Sequence, residues 1–290
     1  MRNVAVTDGD KIEAQIQFGW TVDYYGIGDL VEVINQVTEE EVDALFEEYK
    51  KLYDFDYGDY DHASWERSVK VQARYEIALK RFLDAGGYTA FTDNFEDLHG
   101  MEQLPGLAVQ RLMAQGYGFA GEGDWKTAAL DRFMKIMSHN QNTGFMEDYT
   151  YELAKGKEAV LQSHMLEVDP SLASNKPKIL VSPLGIGEKT DPARLVFDGK
   201  AGDGVVVSMA DFGTHFKLLI NEVKAITPTE EAPNLPVARV LWEVKPGFED
   251  GVRAWIETGG GHHTVASLNV TSDQVITWAK LVGVEYVLIK

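Results

Sequence analysis

The chain has 290 residues, of which 27 are basic and 46 acidic, so its formal net charge is −19 at pH 7. This charge disfavours nucleic acid and anionic lipid as partners. Cysteine is absent, which excludes disulfides, thiolate metal sites and cysteine nucleophiles. No stretch approaches the ~20 apolar residues of a membrane span, and no signal peptide is evident. The composition therefore predicts a cytoplasmic protein without nucleic-acid or membrane partners, and the length predicts two domains.

The first half alternates between strand and helix patterns, as is typical of an α/β domain. Its predicted strands are residues 3–7, 20–25, 88–92 and 116–120. Its predicted helices are residues 11–18, 28–37, 39–53, 63–85, 107–114 and 125–137. Thr38 and Glu41 have capping-box spacing, and Asp124 is a candidate N-cap. We expect a Rossmann-like open parallel sheet with flanking helices over residues 1–142, with a surface loop at 53–61.

The second half is richer in glycine, proline and strand patterns. Its predicted strands are residues 145–153, 159–167, 178–181, 195–197, 205–208 and 216–223. Helices are predicted at residues 248–258 and 272–281. We therefore expect a β-rich, barrel-like domain with a few helices over residues 143–290.

One glycine motif has to be separated from the candidate site. Residues 116–121 match the dinucleotide fingerprint G-x-G-x-x-G. The motif works only after a strand and before an acidic residue about 20 positions on, and here a helix precedes Gly116. We predict that no dinucleotide cofactor binds and that the glycines let the backbone pass close to a site.

Four short segments each supply one strong candidate metal ligand. Glu122 lies between two glycines at the predicted end of a strand, where ligands bind in open α/β sheets. Glu147 lies between two aromatic residues on one strand face, which also suits a buried structural acid. His164 lies in a largely apolar strand, where a lone histidine is more often structural.

The fourth segment is Gly259 to Thr264, which carries His262 and His263 after three glycines. The glycines suit a tight approach to a ligand, and the residues themselves do not decide between the two histidines. Two carboxylates with two imidazoles suit a divalent transition ion such as Mn²⁺. The two carboxylates could also move a proton between adjacent carbons.

Together these segments resemble the L-arabinose isomerase family over essentially the whole chain. The matching segments are residues 1–11, 95–100, 103–111, 118–130, 145–151, 164–168, 184–187, 191–195 and 260–264. The resemblance implies a homo-oligomer. Members of the family also carry an N-terminal α/β domain before the segment that begins at Met1, and a stretch after Lys290. That N-terminal domain supplies subunit contacts and part of a neighbouring subunit's pocket.

The resemblance also assigns roles. It implies that Glu122, Glu147, His164 and His263 hold Mn²⁺, or another divalent ion such as Co²⁺. It implies that the two glutamates are the catalytic pair, moving a proton through an enediolate as L-arabinose becomes L-ribulose, with D-galactose to D-tagatose as a side activity. Four residues are expected to line the substrate pocket: Phe95, Phe145, Tyr149 and His262.

Two other functions remain open at this point. One is a catalytically idle remnant that binds metal or sugar without isomerising it, because the family's N-terminal domain is absent from the sequence. The other is a related isomerase that prefers a different sugar, such as an L-fucose-like substrate.

Overall fold

The computed structural model describes residues 6–290, apart from the side chain of Tyr149. The strand predicted at residues 3–7 therefore lies largely outside the described residues. Within them, the chain forms eight α-helices and twelve strands. No helix in this described part is both long and apolar enough to cross a membrane.

The helices begin and end close to where the sequence predicts. They are α1 (Lys11–Phe18), α2 (Ile27–Gln36), α3 (Glu39–Leu52), α4 (His62–Gly86), α5 (Gly106–Ala114), α6 (Trp125–Met137), α7 (Phe248–Glu257) and α8 (Ser272–Val282). Thr38 and Glu41 form the predicted capping box of α3, and the Asp124 side chain accepts from the Thr127 backbone N–H at the start of α6. These caps satisfy backbone donors that a helix start leaves unpaired.

The first half contains less sheet than the sequence predicts. Its strands are β1 (Asp54–Asp56), β2 (Ala90–Thr92) and β3 (Gly118–Ala120). β2 and β3 pair in parallel, as a Rossmann-like domain requires, but they form a sheet of only two strands within the described residues. A larger Rossmann-like sheet stays a prediction.

Two local predictions in this half are wrong. Residues 20–25 form no strand. Instead the Trp20 ring stacks on Phe18 and Trp278, with ring centroids 4.5 and 6.3 Å away. The predicted loop at residues 53–61 contains β1, which pairs in parallel with a strand of the second half.

The second half is mostly antiparallel. Its strands are β4 (Thr143–Glu152), β5 (Ala159–Ser163), β6 (Lys178–Val181), β7 (Ala193–Val196), β8 (Gly202–Asp211), β9 (Phe216–Ile226), β10 (Val240–Val244), β11 (His263–Ser267) and β12 (Glu285–Ile289). β6 lies between β1 and β7 in a small sheet. The other strands form one sheet in the order β10-β5-β4-β11-β8-β9-β12. β10 also pairs with β9, which closes six of these strands into a barrel.

Helix α6 joins the β2–β3 sheet to the outside of the barrel. Leu130 and Met134 of α6 share a hydrophobic core with Val265 of β11 and Val207 of β8. A second core contains both Phe119 of β3 and Phe145 of β4. Burying a side chain of this size contributes roughly 1.5–3 kcal/mol, so these contacts fix the turn between β3 and α6 against β4 and β11.

Candidate metal centre

The candidate ligands meet where the β3–α6 turn contacts the outer face of the barrel. Glu147 on β4 lies directly opposite His263 on β11 in the antiparallel ladder. Glu147 also lies opposite Ser163, the last residue of β5, and His164 follows immediately. Directly opposed residues in an antiparallel pair present their side chains on the same face. Strand register therefore brings Glu147 and His263 together, and His164 lies immediately after the end of the neighbouring strand.

The fourth residue, Glu122, comes from the β3–α6 turn in a left-handed backbone conformation with φ of 59°. Such a conformation is uncommon for a residue with a side chain, and it persists where the surroundings hold it. The Thr7 hydroxyl donates to the Glu122 carbonyl at 2.9 Å, and the Gly123 N–H donates to the Asp93 carbonyl at 2.8 Å. A Cβ at Gly121 would lie 3.0 Å from Cε1 of His164. Gly121 thus lets this turn approach the histidine.

Two groups of potential ligand atoms share His263. The ligand atoms of Glu147, His164 and His263 all lie within 4.8 Å of one another, and so do those of Glu122, His262 and His263. Nε2 of His263 is 3.8 Å from the Glu122 carboxylate and 4.0 Å from the Glu147 carboxylate. The two groups share His263, so the four predicted ligands lie around one histidine, although no single group of this kind among the described residues joins all four.

Both predicted histidine ligands are oriented by a carboxylate. Nδ1 of His263 is 3.0 Å from Asp124, and Nδ1 of His164 is 2.5 Å from Glu167. A carboxylate on Nδ1 holds the proton there and leaves Nε2 free to bind a metal. Nε2 of His263 is buried and has no hydrogen-bond partner.

Neither carboxylate is predicted from the sequence alone as part of the site. Asp124 was assigned only as a helix cap, although it also contacts His263. Glu167 follows His164 by three residues, and this short spacing is the feature of the sequence that could have indicated their interaction.

The same neighbours set the pKa values of the ionisable groups. Burial lowers the pKa of His263 further than Asp124 raises it. Burial also opposes ionisation of His164, but the Glu167 carboxylate and its hydrogen bond raise the pKa of this ring to about 9. Interaction with His262 lowers the pKa of Glu122.

The three glycines before His262 contact protein side chains. A Cβ at Gly260 would lie 2.2 Å from Nε1 of Trp255, and one at Gly259 would lie 2.7 Å from the Phe212 ring. The Trp255 indole also donates to the Gly261 carbonyl at 3.2 Å. The space beside Gly259 and Gly260 is filled by Phe212 and Trp255. A tight approach of this segment to a ligand stays a prediction.

The predicted pocket residues differ in how closely they approach the ligands. Phe145 is fully buried, and its ring centroid is 4.9 Å from that of His164 and 5.0 Å from that of His263. His262 is partly exposed, with Nε2 3.5 Å from Glu122. Phe95 is half-buried against the main hydrophobic core. The side chain of Tyr149 lies outside the described groups. A pocket role for all four residues stays a prediction.

The glycines of the dinucleotide-like motif lie close to other parts of the chain. Gly116 follows α5 with φ of 100°, and a Cβ there would lie 2.7 Å from the Asn140 side chain. A Cβ at Gly118 would lie 2.2 Å from the Ala128 carbonyl of α6. Two of the motif's glycines therefore serve chain packing, and Gly121 makes room for His164.

The chain matches known sequence families in two consecutive segments. The L-arabinose isomerase central domain matches residues 1–140, and the L-arabinose isomerase C-terminal domain matches residues 142–285. The chain belongs to the L-arabinose isomerase family. The resemblance inferred from the sequence is thereby confirmed.

Several curated relatives match this family member over its full length. An L-arabinose isomerase of Oceanobacillus iheyensis is 80% identical over 290 residues, which are 100% of this chain and 61% of the relative. L-arabinose isomerase 2 of Bacillus licheniformis is 79% identical, with the same coverage of both chains. L-arabinose isomerase 1 of Clostridium acetobutylicum is 65% identical over 289 residues, or 59% of the relative. The chain thus spans about three fifths of the length of these relatives.

Proposed function

We propose that this chain carries the metal centre of an aldose–ketose isomerase that converts L-arabinose to L-ribulose, with D-galactose to D-tagatose as a side activity. The observation that supports this most strongly is the convergence of two glutamates and two carboxylate-oriented histidines around the unpartnered Nε2 of His263. The names of relatives at 80% and 79% identity support the choice of sugar.

The donor set fits a divalent transition ion. Glu122 and Glu147 would offer carboxylate oxygens, and His164 and His263 would offer imidazole nitrogens. Mixed oxygen and nitrogen donors suit Mn²⁺, which we propose as the native ion, and Co²⁺ is also compatible with this set. When bound, the ion would act as a Lewis acid on the sugar's carbonyl and neighbouring hydroxyl oxygens.

The proton transfers are assigned to the glutamates. One carboxylate takes the proton from C2 of the sugar, and the other handles the protons at the oxygens or at C1. Glu122 and Glu147 are 26% and 21% exposed, so both side chains are accessible to a substrate. Asp124 and Glu167 keep the two imidazoles oriented. The two ligand carboxylates balance the charge of a dication when the histidines are neutral.

Further features of the whole protein belong to the same proposal. We expect a domain boundary near residue 142 and, from the family resemblance, a homo-oligomer. An isomerase with a different sugar preference and an idle metal- or sugar-binding chain are outcomes of the experiment that follows.

Two matched substitutions test the catalytic pair. Glu122→Gln and Glu147→Gln keep side-chain size but remove the proton acceptor, so ketose formation from L-arabinose at saturating Mn²⁺ should fall by about 10²–10⁴-fold. Ketose is measured by chromatography, with D-galactose and L-fucose as parallel substrates. The control is Glu152→Gln, an exposed position at the end of β4, which should leave the rate unchanged.

The outcomes separate the alternatives. Ketose from wild type that disappears in both site variants supports the isomerase. Faster turnover of L-fucose than of L-arabinose would indicate a different sugar preference. Mn²⁺ binding without ketose from any of the three sugars would contradict the isomerase and leave a metal-binding chain.

A further inference from the structure

A buried lysine lies directly behind the candidate metal centre. Lys126 is in the first turn of α6, and only 2% of its side chain is exposed. A buried ammonium requires polar partners, because leaving it unpaired costs several kcal/mol. Its Nζ donates to the Thr7 carbonyl and lies 3.3 Å from Oδ1 of Asp124.

Each of these two partner residues also forms a hydrogen bond with a different candidate ligand. The Thr7 hydroxyl donates to the backbone carbonyl of Glu122 at 2.9 Å. Oδ2 of Asp124 is 3.0 Å from Nδ1 of His263. One ammonium therefore links a segment that holds the Glu122 backbone to the carboxylate that orients the His263 ring.

We propose that Lys126 is a positioning residue of the metal centre, an inference that rests on the proposed function. Its ammonium holds residue 7 against the β3–α6 turn, so that the Thr7 hydroxyl can hold Glu122 at its φ of 59°. The same ammonium fixes the Asp124 carboxylate, whose oxygens must also cap α6 through Thr127. Removing Lys126 would loosen two ligands at once, and site geometry of this kind commonly depends on such outer contacts.

The same helix provides a matched control. Lys135 is as deeply buried, with 0% of its side chain exposed. It donates to Asp169 and to the carbonyls of Met113 and Thr143, and none of these groups is a predicted ligand or a partner of one. Lys126→Met and Lys135→Met therefore remove equivalent buried charges that differ in their connection to the site.

The test measures Mn²⁺ affinity in the full chain by electron paramagnetic resonance of free and bound Mn²⁺, with thermal unfolding recorded for each variant. Lys126→Met should weaken Mn²⁺ binding by about tenfold and broaden the spectrum of the bound ion. Lys135→Met should lower the unfolding temperature but leave Mn²⁺ affinity unchanged. Thr7→Val removes only the hydroxyl and should weaken binding by roughly fivefold.

The results distinguish this inference from the proposed function. Wild-type protein that binds no Mn²⁺ would overturn the metal centre and the inference together. Wild type that binds Mn²⁺, with unchanged affinity in folded Lys126→Met, would overturn the inference alone. If Lys126→Met does not fold, unchanged affinity in Thr7→Val overturns it.

Discussion

The two histidines proposed as ligands have similar geometry but different electrostatic surroundings. Each ring has a carboxylate at Nδ1, and each is buried. For His263, burial outweighs the Asp124 interaction, so its pKa is lowered. For His164, burial is outweighed by Glu167 with help from Glu147 and Glu122, and its pKa rises to about 9. At neutral pH we therefore expect His164 of the metal-free chain to be protonated more readily than His263.

This difference predicts a pH dependence of metal binding. A histidine must lose its Nε2 proton to bind a metal, so Mn²⁺ affinity should rise with pH until about 9, the pKa of His164. Below that value each pH unit should weaken binding by about tenfold. Calorimetry in two buffers with different ionisation enthalpies should show about one proton released per ion near neutral pH.

A single substitution supplies the control for this experiment. Glu167→Gln removes the charge that keeps His164 protonated, so the proton release near neutral pH should largely disappear. The same shift affects folding stability: the contribution from protonated His164 is present below pH 6.5 and is lost as pH rises towards 9. Wild-type binding without proton release near neutral pH would contradict this account of His164.

The identities of the ligand candidates were predictable from the sequence to different degrees. Glu122 was indicated by its flanking glycines, and one of them, Gly121, lies close to His164 in the structure. The choice of His263 over His262 came only from family resemblance. In the structure His263 has the buried, unpartnered Nε2, whereas His262 is partly exposed. That difference depends on contacts between distant segments, which no local pattern carries.

At the scale of secondary structure, the contact between β3 and α6 controls where the Glu122 turn lies. Gly118 on β3 lies so close to α6 that a Cβ would be 2.2 Å from the Ala128 carbonyl and 2.6 Å from the Arg132 nitrogen. Both atoms are backbone, so the helix itself would have to move. Gly118→Ala should therefore destabilise the protein by about 1–3 kcal/mol, as overpacking of a core does.

For a second glycine we expect substitution by alanine to change the stability in the opposite direction. Gly28 lies inside α2, and a Cβ there would have no neighbour within 4 Å. Gly28→Ala should stabilise the protein by about 0.5–1 kcal/mol, because alanine loses less backbone entropy in a helix. Urea unfolding of both variants measures these changes. Equal stability of the two variants would show that the β3–α6 contact is looser than the structure indicates.

Helices were predicted more accurately than strands. α1 matches its predicted bounds, and the capping residues of α3 and α6 were identified because caps are encoded within a few residues. Four strands were not predicted: β1, β10, β11 and β12. β11 begins at His263 directly after the glycines, and β12 pairs in parallel with the distant β9. Such strands are fixed by long-range pairing, so short sequence windows do not reveal them.

At the scale of the whole molecule, the candidate centre joins the two segments matched by the family. Glu122 belongs to the segment at residues 1–140, and the other three proposed ligands belong to residues 142–285. The pairing of β1 with β6 also crosses between these segments. The family resemblance implied that Glu122 shares an ion with three residues of the second half, but the β1–β6 pairing was not predicted.

We propose that Glu122, Glu147, His164 and His263 hold one divalent ion. Anomalous X-ray diffraction at the manganese edge, from crystals grown with Mn²⁺, tests it most directly. We expect one strong peak bound by both carboxylates and by Nε2 of each of the two histidines. A peak bound by His262 in place of His263, or no peak among these side chains in crystals saturated with Mn²⁺, would contradict it.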